Sequence, residues 1–229
     1  MFLSKVRLNP RHRMTYRLLA DLYMQHRFVM SAFPDLLQTD GSEEGSQRQQ
    51  GVLYRLDTAK QSEEIFFLVQ SIIAPDWEKS DTLHRAAICS VNQGEWNPAV
   101  VQGERYRFRL RASPTVCRVN RDLAGVRQKA KREGLFTEEA QRDWLVRTAA
   151  RGGFGIEMNS VLVTPQGKLE GIKPPNDSRS SDNRVRCFTV DFDGVLFVAQ
   201  PDQFMSTLRD GVGRGKAWGC GLLSVLRAR

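Results

Sequence analysis

No run of apolar residues in the chain approaches the roughly 18–20 needed to cross a bilayer as a helix. The opening MFLSKVRLNP has charges inside it and no apolar stretch of the kind a secretory leader requires. Together these predict a cytoplasmic protein. Cysteine is scarce: Cys89, Cys117, Cys187 and Cys220 are the only four in 229 residues, far apart and without a CxxC pair. That spacing speaks against zinc, whose ligands cluster, and against a disulfide framework in a chain this long. Buried free thiols are the expectation, with no metal and no cofactor. Histidine is scarcer still, with three in the whole chain. Acid is in deficit, 26 Asp and Glu against 34 Lys and Arg, for a net charge of +8. A cationic surplus of this kind favours a polyanionic partner, nucleic acid above all. What is present in ordinary amounts, 41% apolar and 26% charged residues, argues against disorder as the main state.

The hydrophobic pattern repeats one plan twice. Residues 2–8 (FLSKVRL) predict a strand, and Thr15 to Phe33 a helix that Pro34 stops. After a polar loop (38–51), VLYRLD (52–57) and EIFFLVQSII (64–73) predict a hairpin. PDWEKSD begins a short helical turn and RAAICSV (85–91) a closing strand. That β-α-β-β-α-β order is the ferredoxin-like plan. NQGEWNPAVVQGE (92–104) has the composition of a linker. Beyond it RYRFRLRA (105–112) predicts a strand and TEEAQRDWLVRTAA (137–150) a helix, with Thr137 and Ala140 framing its N-terminus. FGIEMNSVLVT and RVRCFTVDFDGVLFVAQ supply strands, PDQFMSTLRDG (201–211) a helix and GLLSVLRA a last strand. The expected class is α+β: two tandem ferredoxin-like (RRM-like, βαββαβ) domains with a C-terminal glycine-rich loop. Residues 1–92 form the first, 93–103 the linker and 104–229 the second. GIKPPNDSRSSDNR (171–184) reads as a flexible basic loop.

The first helix holds Tyr23 and His26 about one turn apart. At about 100° per residue, Leu18, Leu22, Val29 and Phe33 form its apolar stripe, with His26 beside the stripe and Tyr23 further round. The pair is predicted at the seam between core and solvent, with Arg27 on the wet side. Two readings stand. His26 is a half-buried imidazole on a backbone oxygen with Tyr23 as filler, or the two serve proton transfer. Imidazole, with a pKa near 6.5, can take or give a proton at neutral pH, and a phenol can position or polarise an oxygen. Attack of an RNA 2′-hydroxyl on the adjacent phosphate needs both services and no metal.

GERYRFRLRASP sets Arg105, Arg107, Arg109 and Arg111 at alternate positions, with Tyr106, Phe108 and Leu110 between them. Alternation across a strand would line one face with four guanidinium groups. Only Glu104 is near in sequence, so a phosphate backbone is the partner that would relieve their repulsion; a solvated face is the alternative. CRVNRDLAGVRQKAKREG continues the charge with Arg118, Arg121, Lys129 and Lys131.

GVGRGKAWGCGLLSV, with Gly211, Gly213, Gly215, Gly219 and Gly221, also carries Arg214 and Lys216. Ala217 after the lysine rules out a Walker A loop, which needs Ser or Thr there. Too few residues follow Gly221 for a dinucleotide-binding βαβ unit. That disfavours a nucleotide-hydrolysing enzyme, and leaves a glycine-rich loop that packs tightly or holds a nucleic-acid backbone.

Taken together, LSKV (Leu3–Val6), LYMQH with FP (Leu22–His26, Phe33–Pro34), FRLRASP (Phe108–Pro114) and GVGRGKAWGCGLLS (Gly211–Ser224) resemble the CasE proteins. These are CRISPR repeat-RNA endoribonucleases of the type I-E Cascade complex. Ser113 departs from the Asn usual in that motif. The resemblance implies two ferredoxin-like domains and metal-independent cleavage of precursor CRISPR RNA at the base of the repeat hairpin. It implies 5′-hydroxyl and 2′,3′-cyclic phosphate (or derived monophosphate) ends, and a protein that stays on the hairpin within Cascade. Tyr23 and His26 carry over by motif as catalytic residues, with neither assigned as acid or base. Arg27, the strand arginines, Arg118, Arg121, Lys129, Lys131, Lys173, Arg184, Arg214 and Lys216 are the candidate RNA contacts. The competing reading is a non-catalytic RNA-hairpin-binding subunit.

Overall fold

The computed structural model describes residues 1–33, 51–59, 63–80, 82–118, 131–172 and 184–228. The polar loop expected at 38–51 lies outside them except for Gly51, as do Arg121, Lys129 and Lys173.

In the N-terminal unit, β1 (Phe2–Leu8) turns Ser4, Val6 and Leu8 inward at every second position, the period of a strand. It lies between β3 (Glu64–Ser71) and β4 (Ile88–Glu95), and β2 (Leu53–Ala59) pairs with β3, all antiparallel. The sheet order β2-β3-β1-β4 is that of a ferredoxin-like unit. Leu18, Phe28, Val29, Phe33, Tyr54 and Phe67 fill its core, with Phe28 stacked on Phe67 at 4.9 Å. The closing strand β4 runs through Glu95, beyond the expected end at residue 91.

The expected single helix is two: α1 (Arg13–Ala20) and α2 (Leu22–Met30). Asp21 between them is extended (φ −136°, ψ 115°) and caps α2, because its carboxylate satisfies two of the first-turn N–H groups that a helix start leaves open. The break turns Leu22 away from the core stripe into a separate cluster with Cys187 and Cys220. A five-residue α3 (Thr82–Ala86) precedes β4.

The C-terminal unit repeats the plan with insertions. Its sheet runs β11-β5-β10-β8, from β5 (Arg105–Ala112), β8 (Phe154–Ile156), β10 (Arg184–Val198) and β11 (Leu223–Arg227). Two helices, α4 (Glu138–Arg151) and α5 (Pro201–Asp210), complete the unit. Thr137 caps α4 by accepting from the Ala140 N–H, as its place in the sequence predicts. β6 (Thr115–Arg118) and β7 (Lys131–Gly134) form a separate hairpin. The stretch read as one strand after Phe154 divides into β8, a 3-10 turn and the long β9 (Leu162–Ile172). β9 pairs with β10 out to Ile172 opposite Arg184, so the ends of the expected basic loop are strand and residues 173–183 lie outside the described ones.

The units dock through β2, five of whose seven residues are buried. Arg55 and Asp57, 2% and 6% exposed, form an ion pair at 2.8 Å. The Arg55 guanidinium also donates to the Arg109 and Leu222 carbonyls, each at 3.3 Å. Arg111 answers from β5 by donating to the Leu56 carbonyl at 2.8 Å, and Gln70 donates to the Leu208 carbonyl of α5 at 2.7 Å. Burial lowers the Arg55 pKa, and the Asp57 carboxylate opposes that. The buried charges are matched and their donors occupied, the condition under which such a cluster is tolerated.

All four cysteines are free. Cys187 and Cys220 are buried as expected; Cys89 and Cys117 are exposed, against the expectation. Cys89 lies on β4 and Cys117 on β6, a sheet edge and a two-stranded hairpin, and neither place offers a second covering layer.

Candidate active site at the junction of the two units

The start of α2 is held from two sides by the other unit. Asp21 Oδ1 accepts from the N–H groups of Tyr23 (2.7 Å) and Met24 (3.2 Å). Its Oδ2 accepts from the N–H of Ile172 at the end of β9, at 3.4 Å. Gly171 lies so close that a Cβ there would stand 2.7 Å from the Tyr23 nitrogen. From the other side comes the glycine-rich loop, whose 3-10 turn Lys216–Trp218 sets the Trp218 ring centroid 5.7 Å from that of His26, with planes tilted by 57°.

The loop is fixed by its own backbone. All five glycines have positive φ, between 73° and 88°, the region where a Cβ is strained. The Gly221 N–H donates to the Arg111 carbonyl and the Val212 N–H to the Gly221 carbonyl, both at 2.8 Å. The hydroxyl of fully buried Tyr54 donates to the Ala217 carbonyl at 2.7 Å, and Lys216 donates to the Asp210 carbonyl. Of the two roles left open for the loop, tight packing is what these bonds display.

Tyr23 and His26 share α2, but the expected solvent-facing seam is not observed: they are 6% and 4% exposed. The helix edge that would meet water in an isolated first unit is covered by β9 and the glycine-rich loop. Arg27 is exposed, as expected. Trp218 also lines a cavity of about 720 Å³, together with Ser113, Arg186, Cys187, Arg214 and Lys216. The Cys187 thiol is pulled down to about 7 by its hydrogen bond with Cys220, while that bond and burial push Cys220 up.

The four strand arginines do share a face, but their surroundings differ from the expectation of a row without acid. β5 pairs with β10 so that Asp191 stands opposite Arg111 and Asp193 opposite Arg109. Arg111 binds Asp191 at 2.7 Å, Arg109 binds Asp193 at 2.6 Å and Arg105 binds Glu157 at 2.5 Å. Among the described residues Arg107 makes no ion pair. Side-chain exposure rises from 14% at Arg111 to 47% at Arg109 and 59% at Arg105, away from the junction. Burial alone would lower the Arg111 pKa; the Asp191 and Asp57 carboxylates raise it overall. Arg111 is therefore a docking residue with its donors engaged, and the open end of the row is at Arg107 and Arg105.

Arg118 is exposed and paired with Glu133 at 3.4 Å. Lys131 stands opposite it in the β6–β7 hairpin, and Arg184 is exposed at the start of β10. Arg214 and Lys216 reach the cavity; Arg27 and Arg118 do not line it. Sequence reasoning missed Asp21, Gly171, Arg186 and Trp218. Asp21 carried a signal, a capping residue directly before an apolar run, and Arg186 another, two places after Arg184 on one strand. Trp218 carried none, since its contact with His26 exists only once the units dock. Among the described residues, no group of three or more His, Cys, Asp or Glu could hold a metal ion, and no helix is long and apolar enough to cross a membrane.

The family described as "CRISPR associated protein" matches residues 1–227. The chain is 34% identical over 228 residues to the CRISPR-associated endoribonuclease Cse3 of Thermus thermophilus, covering 98% of this chain and 99% of the relative. Its fold superposes on Thermus thermophilus Cse3 bound to an RNA representing a pre-cleavage complex, with a TM-score of 0.73, 33% identity and 98% of each chain covered. It also matches a chain of a CRISPR RNA-guided surveillance complex in a pre-nicking state, with a TM-score of 0.64, 26% identity and 100% of both chains.

Proposed function

Since the chain belongs to the family of CRISPR-associated proteins, we propose that it is a metal-independent endoribonuclease that cuts precursor CRISPR RNA at the base of the repeat hairpin. It then stays on the hairpin as the RNA-end subunit of a Cascade-type complex in the prokaryotic cytoplasm. The observation that carries this reading is the placement of Tyr23 and His26 on one helix at the junction, where the Trp218 ring that meets His26 also lines a cavity edged by Arg186 and Arg214. The cut forms a bond from the ribose 2′-oxygen to phosphorus and breaks the bond from phosphorus to the 5′-oxygen. One proton leaves the 2′-hydroxyl and one reaches the departing 5′-oxygen, giving a 2′,3′-cyclic phosphate and a 5′-hydroxyl. An imidazole can serve at either end of that transfer, and the Tyr23 phenol is the group within the same helical turn to complete it. Arg107 and Arg105 offer phosphate contacts outside the site, and stem recognition by shape and backbone suits such contacts.

The deep burial of Tyr23 and His26 favours a second reading, an RNA-binding subunit without catalysis. One assay separates the two. Repeat-hairpin RNA is incubated with the protein in EDTA beside a copy carrying a single 2′-deoxy at the scissile nucleotide. Cleavage of the first and survival of the second is expected; an intact first RNA leaves the binding subunit standing.

A further inference from the structure

Trp218 lies in the glycine-rich loop, has no proton to exchange at working pH, is half-buried, meets His26 and lines the cavity. The backbone that carries it is fixed from several sides. Gly215 and Gly219, on either side of the turn, take φ of 76° and 75°, and the Trp218 N–H donates to the Gly215 carbonyl at 2.8 Å. The neighbouring carbonyl, Ala217, is tied to buried Tyr54. Gly219 packs where a Cβ would lie 3.4 Å from the Tyr54 ring and 3.6 Å from Gln25 Oε1 on α2, so the loop follows the helix closely. An indole that is half-buried on so fixed a backbone can serve as a wall. His26 is 4% exposed, and the indole 5.7 Å from its centroid is one of the surfaces that limit its two side-chain torsions.

We propose that Trp218 is a positioning residue for the cleavage reaction: its ring holds the His26 imidazole in the orientation that proton transfer needs. The glycine-rich loop then contributes to catalysis without touching the reacting atoms. This inference rests on the endonuclease reading above. A small misplacement of a reacting group costs on the order of 10²-fold in rate, so a residue acting only through orientation changes the rate of the cut and leaves hairpin affinity alone. Simple packing, by contrast, would be met by any large apolar side chain.

The test compares Trp218→Phe with Trp218→Leu, both large and apolar, of which one keeps a ring. Single-turnover cleavage and equilibrium binding of the same repeat hairpin are measured in EDTA, with melting curves to confirm folding. Trp218→Leu is expected to slow the cut by about 10- to 100-fold at near wild-type affinity, and Trp218→Phe to recover most of the rate. The contact has its own readout: the emission of Trp218, taken as wild type minus Trp218→Phe, should change when His26→Ala removes the ring against it. Equal rates for the Leu and Phe variants, or affinity falling in step with rate, overturn the inference while the nuclease reading survives. A wild-type protein that leaves the hairpin intact overturns the nuclease reading and this inference with it, whatever the emission shows.

Discussion

The N-terminal sheet, β2-β3-β1-β4, and the C-terminal sheet, β11-β5-β10-β8, place their strands in the same relative order, yet the two units carry different chemistry. The first holds the two candidate rings, Tyr23 and His26, on a short helix; the second carries guanidinium groups on β5, a long β9–β10 arm and a glycine-rich loop. Neither makes the site by itself. Tyr23 and His26 belong to α2, while Gly171, Trp218 and the cavity cations come from the partner unit. A duplicated plan thus separates the candidate rings from the surfaces that enclose them, and the Arg55–Asp57 junction holds the two parts together.

Removing the junction is the severest way to break this division. Asp57→Ala strands a buried guanidinium and should cost about 3–5 kcal/mol of stability, read as a lower midpoint in chemical denaturation. Glu157→Ala, which takes the carboxylate from exposed Arg105, should leave that midpoint nearly unmoved. His26→Ala attacks the first unit's contribution alone: cleavage should fall by about 10²-fold or more with hairpin affinity retained. A parallel loss of binding would make the residue structural. Gly171→Ala attacks the same helix from the second unit, since its Cβ meets the Tyr23 nitrogen at 2.7 Å. It should cost about 1–3 kcal/mol in thermal or chemical unfolding and slow the cut, and an unaltered protein would show that β9 yields without moving α2.

The smallest effect sharpens the comparison within β5. Arg107→Ala should lower the slope of log affinity against log salt by about one unit, the signature of one lost phosphate contact. Arg111→Ala should leave the slope in place and lower stability, because its donors already serve Asp191 and Leu56. Equal slopes for both variants would mean that the exposed end of the row faces solvent or another subunit.

Much of the frame was legible because it depends on neighbours in sequence. β1 and β5 alternate cleanly and begin and end where their patterns predict, and Thr137 announces α4. What escaped depends on distant partners. Asp21 before LYMQH has the chemistry of a cap, but it sits inside an apolar rhythm that continues on both sides, and the rhythm suggests one helix where the cap starts a second. The acids that answer Arg109 and Arg111 sit in VDFDG, and their two-residue spacing mirrors that of the arginines; the match becomes visible only when β5 and β10 are set in register. The rings on α2 read as facing water because their cover, Gly171 and Trp218, lies more than a hundred positions downstream.

The order in which these parts leave the ribosome follows from that last separation. A growing chain displays Tyr23 and His26 early, on a bare helix, while the wall beside the imidazole waits for residue 218 and for β11 to close against β5. Competence for the proposed cut therefore waits until β11 has been made, and a nascent chain shorter than that carries Tyr23 and His26 on a helix still unframed.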